Sequence, residues 1–241
     1  GKAQPLDSLV LTVDGYKKMG DIRVGDLVYT HSGCIAPVTG IFPQGYLPVY
    51  RLTFNDYTST RVADTHLNWV YTVDSRHYRY YESIETLNLI DRFNSGERFY
   101  IDRPVVSWGK RVLPADLYEF GLIFGSTMRY DGRGISTDIL YNSVGIRADF
   151  LAGILKAVGT VTKKDNIKVV INDKVMSDDF AFLVRSLGIS DKVYCDEGIY
   201  RHYIILDSSV NLRGIDLARR CSVKRELISI EELEPAECQC I

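Results

Sequence analysis

The chain has 241 residues, 46% of them apolar and 25% charged, with a formal net charge of −2. That balance suits one large globular domain or two modest ones, and it provides no global field to attract a polyanion. No apolar run reaches the length of a membrane span, and the opening Gly1-Lys2-Ala3-Gln4-Pro5 lacks a basic-then-apolar secretory pattern, so a cytoplasmic setting is expected.

From residue 5 to residue 73 the chain predicts short strands. Leu9-Val10-Leu11 is an apolar run, and Val13-Asp14-Gly15-Tyr16 is a turn in which Asp-Gly suits positive φ. Further strands are predicted at Leu27–Thr30, Val38–Phe42, Val49–Phe54 and Asn68–Val73, separated by Gly-rich or polar breaks. Many short strands at close spacing predict a compact all-β body. Residues 74–113 are aromatic and polar without clear period, which predicts irregular structure packed on its neighbours. A base-stacking surface is the less favoured reading of Tyr78, Tyr80 and Tyr81.

After residue 113 the pattern changes. Pro114-Ala115-Asp116-Leu117 opens a helix with Leu117, Phe120, Gly121 and Phe124 at helical spacing. More helices are predicted at Arg147–Ala157, Ser177–Leu187 (ended by Gly188) and Val210–Ala218, with strands at Ile167–Ile171 and His202–Leu206. This is an α+β unit set into the β body, because residues 226–241 again read as extended. Two helix starts, Glu119–Gly125 and Phe150–Ala157, are loosely alike.

The chain has five cysteines. An odd number in a chain of this size argues against a disulfide framework. Cys238-Gln239-Cys240 is spaced too tightly for a zinc knuckle and has no second pair, so neither a metal nor a cofactor is expected. Cys34, Cys195 and Cys221 read as small semi-buried residues, and His31, His77 and His202 as structural ones.

Three blocks carry a family resemblance. Ala3-Gln4-Pro5-Leu6-Asp7-Ser8-Leu9-Val10-Leu11-Thr12, followed by Asp14-Gly15 and Met19–Asp26, resembles the opening of an intein, a protein-splicing element. Val62-Ala63-Asp64-Thr65-His66-Leu67 is similar to the block whose His acts on the N-terminal scissile bond, and Glu234–Ile241 to the block before the C-terminal junction. The resemblance implies a mainly β, horseshoe-like Hint domain. It makes residues 1–2 the tail of the upstream host segment (the extein), 3–113 and 221–241 the Hint domain, and 114–220 an insert. That insert resembles a LAGLIDADG homing endonuclease, with Phe150–Thr160 close to the family's helix end. The family's metal-holding carboxylates then fall at Ser126 and Val158, neither of which can hold a hard cation, so nuclease activity is expected to be absent.

The splicing chemistry implied by the resemblance begins with a thiol or hydroxyl attacking a peptide carbonyl, with a proton donor for the leaving nitrogen. The scissile bond is Lys2–Ala3, His66 is the donor, and Thr65 and Asp64 tune it; Ala63 stands where the family usually has Thr. Ala3 occupies the place of the first nucleophile. One reading makes Ala3 a substitution that traps the unspliced state, with Cys240 as a proton-transfer or thiol partner. The alternative is the minority class without a first-position nucleophile, in which Cys240 attacks directly; Trp69 near His66 fits that class. The late His and terminal Asn of the family do not follow Ile241. A split element whose short C-terminal fragment supplies them is therefore expected, with truncation of a contiguous element as the other account. The rivals are a DNA-binding relic, disfavoured by charge, and a hedgehog-type self-cleaving module, disfavoured by the insert.

Overall fold

The computed structural model describes residues 2–103, 105–109, 112–113, 116–128, 134–206, 212–215 and 224–241. In chain order these form β1 (Gln4–Pro5), β2 (Leu9–Thr12), β3 (Gly15–Lys18), β4 (Leu27–Tyr29), β5 (Ile35–Pro37), β6 (Phe42–Phe54), β7 (Ser59–Ala63), β8 (Leu67–Val73), β9 (Arg79–Glu85), α1 (Thr86–Asn94) and β10 (Arg98–Ile101). There follow α2 (Leu117–Thr127), α3 (Thr137–Leu140), α4 (Val144–Val158), β11 (Thr160–Val161), β12 (Ile167–Ile171), α5 (Lys174–Ser186), β13 (Ser190–Asp196), β14 (Ile199–Ile205) and β15 (Arg225–Cys240). The chain divides into two compact units, Gly1–Asp102 with Lys224–Ile241, and Arg103–Val223. Residues 103–113, grouped above with the β body, fall in the second unit. Among the described residues no helix is long and apolar enough to cross a membrane.

The first unit is built on one long strand. β15 runs antiparallel to β6 from Leu227 opposite Phe54 to Cys240 opposite Phe42, with register shifts after Leu227, Leu233 and Cys238. Each shift inserts residues on one strand only, which bends and twists the pair. The sheet order is β7-β6-β15-β10-β8-β9, and β1 pairs with the far end of β15. Leu52, Phe54, Val62, Val70, Leu89, Phe99 and Leu227 form its main core, all nearly inaccessible. A smaller sheet, β3-β2-β4-β5, holds the Asp14-Gly15 turn, where Gly15 takes the expected positive φ of 107°.

Two expectations need correction here. Residues 38–41 form no strand, because the Val38 N–H and carbonyl are bonded to Asp26 and Gly25 and cannot join a ladder. Residues 74–113 are not irregular throughout, since they include β9, α1 and β10. Trp69, Tyr71 and Tyr81 pack against one another across β8 and β9, which hides strand alternation behind an aromatic, polar composition.

In the second unit α2, α3, α4 and α5 pack with the sheet β11-β12-β14-β13 around Phe150, Leu151, Ile154, Phe180 and Leu183. Asp116 caps α2, accepting from the N–H groups of Tyr118 and Glu119. Pro114 and Ala115 lie outside the described residues, as does Cys221. So does most of the predicted helix Val210–Ala218, of which the described part, Leu212–Ile215, is a turn. β13 and α3 were not expected. The buried chain Ser177 Oγ–His202–Asp191, with contacts of 3.0 and 2.8 Å, ties α5 to β14 and β13. All three side chains are closed to solvent, so this serine–histidine–aspartate arrangement is structural.

Candidate functional site

The first unit's smaller cluster gathers most of the residues singled out above. The ladder pairs Gln4 with Gln239 and Pro5 with Cys238, so the same register carried one step further sets Ala3 across from Cys240. Leu6 N–H donates to the Glu237 carbonyl at 3.0 Å and continues the pairing in the other direction. Cross-strand partners share a face of the sheet. Ala3 is accordingly buried with Val49, Ala63 and Cys238, and Cys240 packs on that cluster, half-buried with a free thiol. Burial raises the Cys238 thiol's pKa, with the charge of Asp64 adding to the effect.

His66 reaches the same point from the turn between β7 and β8. The Ala3 carbonyl accepts two hydrogen bonds, from Ala63 N–H and from His66 Nδ1, both at 3.1 Å. A carbonyl only accepts, so Nδ1 carries the proton in this arrangement. Burial pushes the imidazole pKa down from 6.5 to about 4, against hydrogen bonding to the backbone of Ala3 and Lys2. His66 therefore addresses both sides of the Lys2–Ala3 peptide, as a neutral ring at pH 7.

The support under His66 was not legible as a motif. Its carbonyl accepts from Thr86 N–H at 3.0 Å, Thr86 Oγ1 at 3.2 Å and Asn68 Nδ2 at 3.2 Å, and its own N–H donates to Ala63 at 3.1 Å. These bonds fix the turn rather than the ring. The one sequence signal was an Asn inside a predicted strand, at a position whose neighbours two residues away are a His and a core Val.

The other candidates sit as follows. Asp64 accepts from Thr65 N–H at 2.8 Å, while Thr65 is exposed and its hydroxyl makes no hydrogen bond among the described residues. Trp69 is 44% exposed and stacks on Tyr81 at 5.8 Å between centroids, with His31 on its other contact at 5.3 Å. Ala63, at the usual hydroxyl position, is fully buried and contributes its N–H to Ala3 instead.

In the second unit the two similar helix starts, α2 and α4, pack together. A Cβ added at Gly121 would collide with the Phe150 carbonyl, and one added at Gly153 with the Tyr118 carbonyl. Residues 118 and 121 on α2 thus meet 150 and 153 on α4 reciprocally, a two-fold arrangement of matching sequence positions. Gly125 faces Ala157 in the same pattern. One step beyond that pair come Ser126 and Val158. Ser126 Oγ donates to the Leu122 carbonyl at 2.9 Å within its own helix, and Val158 packs on the core. Neither a hydroxyl bonded within its own helix nor a hydrocarbon side chain suits a hard cation.

No curated protein matches the chain. Residues 134–214 match the family model described as homing endonuclease. Among solved structures the chain is similar to the crystal structure of the gp41-1 intein carrying three substitutions, at 21% identity over 35% of this chain and 81% of that one, TM-score 0.28. It is similar to the crystal structure of the gp41-1 intein at 21% identity over 35% and 80%, TM-score 0.28. A third is the zinc-bound Msm DnaB1 intein splicing domain, at 26% identity over 28% and 54%, TM-score 0.27.

Proposed function

We propose that the first unit is a protein-splicing domain of the intein type, with Cys240 as its first nucleophile. The observation that carries this is the meeting of three blocks far apart in sequence: the Lys2–Ala3 peptide, His66 on the Ala3 carbonyl one peptide further on, and Cys240 across the strand pair from Ala3. In the first step the Cys240 sulfur attacks the Lys2 carbonyl carbon. The carbon–nitrogen bond to Ala3 breaks, and the thiol proton ends on the freed Ala3 nitrogen through His66. The product is a thioester between the host segment and Cys240. This route uses Ala3 as it stands and is favoured over the trapped-state reading. Cys240→Ala is expected to cut host-segment release at least 10³-fold, as loss of a covalent nucleophile does. Cys238→Ala, which removes the buried neighbouring thiol, is expected to retain release. Equal loss in both variants would point to a packing defect instead.

The remaining steps need a late His and a terminal Asn, which we assign to a short second polypeptide. Support comes from the small sheet β3-β2-β4-β5. Leu9, Tyr16, Leu27 and Ile35 are between 41% and 61% exposed there, and register puts Leu27 beside Pro37 and Ile35 beside Tyr29 on one face. A strand-forming apolar segment would pair with the β5 edge, and its side chains would extend that apolar face. Hydrogen exchange with an intein C-terminal fragment added is expected to slow at β4 and β5. Unchanged exchange there would count against a split element.

A second reading applies to the other unit: DNA binding without cleavage. The outward face of its sheet carries Lys168, Lys192 and Arg201 with Tyr194 and Tyr203, beside a groove also lined by Lys163 and Lys164. Basic side chains interleaved with aromatic ones suit a phosphate backbone. In a mobility-shift assay the chain is expected to retard duplex DNA at low salt and leave it uncut with Mg²⁺. Lys163→Glu/Lys164→Glu/Lys192→Glu should lose the shift, and retention by that triple variant would sink this reading.

A further inference from the structure

In the second unit the sheet β11-β12-β14-β13 packs one face on the helices and turns the other outward. Alternation sorts its residues. Ile167, Val169, His202 and Ile204 are buried, so Lys168, Arg201 and Tyr203 lie on the other side. The register places Tyr203 directly between Lys168 on β12 and Lys192 on β13, each one strand spacing of about 4.8 Å away. Tyr194, the diagonal neighbour of Tyr203, is 45% exposed, and the two rings stand at 86° with centroids 5.6 Å apart. An open groove of about 610 Å³ beside them is lined by Lys163, Lys164 and Lys192 and, among the described residues, by no carboxylate. The turn at residues 162–166 holds those first two lysines against one carboxylate, Asp165. Asp196 and Glu197 lie at the other end of the sheet, where Asp196 pairs with Arg201 at 3.7 Å. This face is therefore basic, although the whole chain carries a net charge of −2.

We propose that this face binds single-stranded nucleic acid, with a base stacked on Tyr194 and the neighbouring phosphates on Lys163, Lys164 and Lys192. The proposal rests on the nucleic-acid reading of this unit and narrows it to unpaired strands. Lysines alone take any phosphate backbone. The tyrosines add what only a single strand can use. In a duplex both faces of each base are covered by the stack, so a ring on a sheet has no base face to meet. In an unpaired strand a base turns out and lies on the ring. Stacking asks only for a π face, so the binding tolerates any sequence. The groove falls in the range of about 300–1,000 Å³ that takes small ligands, so it has room for a nucleotide-sized group.

The test is a fluorescence-anisotropy titration of the full chain at low salt, with labelled oligo-dT of about 12 nucleotides and with a duplex of the same length. The duplex carries twice the phosphates, so charge alone favours it. The expected result is the reverse, with oligo-dT bound more tightly. Tyr194→Ala is expected to weaken oligo-dT about tenfold and to leave the duplex unchanged, whereas Tyr194→Phe, which keeps the ring, retains both. Lys163→Glu/Lys164→Glu/Lys192→Glu should lose both. Tighter binding of the duplex, or a Tyr194→Ala loss that is absent or equal for the two, overturns the single-strand proposal and leaves the nucleic-acid reading standing. Failure of either ligand to bind at all overturns that reading as well when it holds for both, and the single-strand proposal alone when it holds for oligo-dT.

Discussion

Replacing His66 by Gln is expected to slow cleavage of the Lys2–Ala3 bond by about 10²–10⁴-fold, the usual worth of a positioned proton donor. Gln keeps an N–H that can reach the Ala3 carbonyl, so the variant separates proton transfer from simple hydrogen bonding. The readout is release of a host segment fused ahead of Gly1. The same residue sets a pH dependence of stability. Burial lowers its folded-state pKa from 6.5 to about 4, so between these values the unfolded chain binds more protons than the folded one. The stabilisation is complete above pH 6.5 and is lost as pH falls toward about 4. By the conversion of one pKa unit to 1.36 kcal/mol it amounts to about 3 kcal/mol at most. Urea midpoints measured from pH 7 to pH 4 should show that decline, and His66→Gln should remove it while other carboxylate effects remain.

Gly153→Val is expected to destabilise the second unit by about 3 kcal/mol or more, enough to abolish its cooperative unfolding if its stability is ordinary. The reason lies in the two-fold packing of α2 and α4. At Gly153 a Cβ meets the Tyr118 carbonyl and the Leu122 amide nitrogen, and at Gly121 it meets the Phe150 carbonyl and the Gly153 Cα. These neighbours are backbone and cannot turn aside as a side chain can. The helices must separate, which opens the packing around Phe150 and Ile154. Gly145→Val is the control. It lies in the first turn of α4 with nothing near its would-be Cβ, so it should cost only the loss of helix propensity. Far-UV dichroism during urea unfolding measures both, and equal effects would contradict the close-packing account.

The sequence made the local structure legible wherever one periodicity dominated. Ile167–Ile171 stands as predicted because alternate residues face the core. Gly188 ends α5 at a positive φ of 76°, the conformation expected of a helix-stopping glycine. The misses occur where a residue's partners are distant in sequence. Val38 reads as a strand residue until its backbone is seen bonded to the 25–26 turn, and β9 was hidden because aromatic side chains occupy both of its faces. His66, Ala3 and Cys240 could be named only through a resemblance at both ends of the chain. Their meeting depends on the register of β15 against β1, and a strand register slipped by one residue would send Cys240 to the other face. Asn68 and Thr86 have no motif at all, because their role is to hold a backbone carbonyl. Ser126 and Val158 were the reverse case: their chemistry was readable from residue type, while the pairing of their helices needed coordinates.

The most direct test of the account is intact-mass and peptide analysis of a host segment fused ahead of Gly1, incubated in the absence of any C-terminal fragment. The account predicts a host segment ending at Lys2 carried as a thioester on Cys240, released by hydroxylamine and missing from Cys240→Ala. Release that persists in Cys240→Ala, or a thioester formed only after Ala3 is changed to Cys, would contradict it.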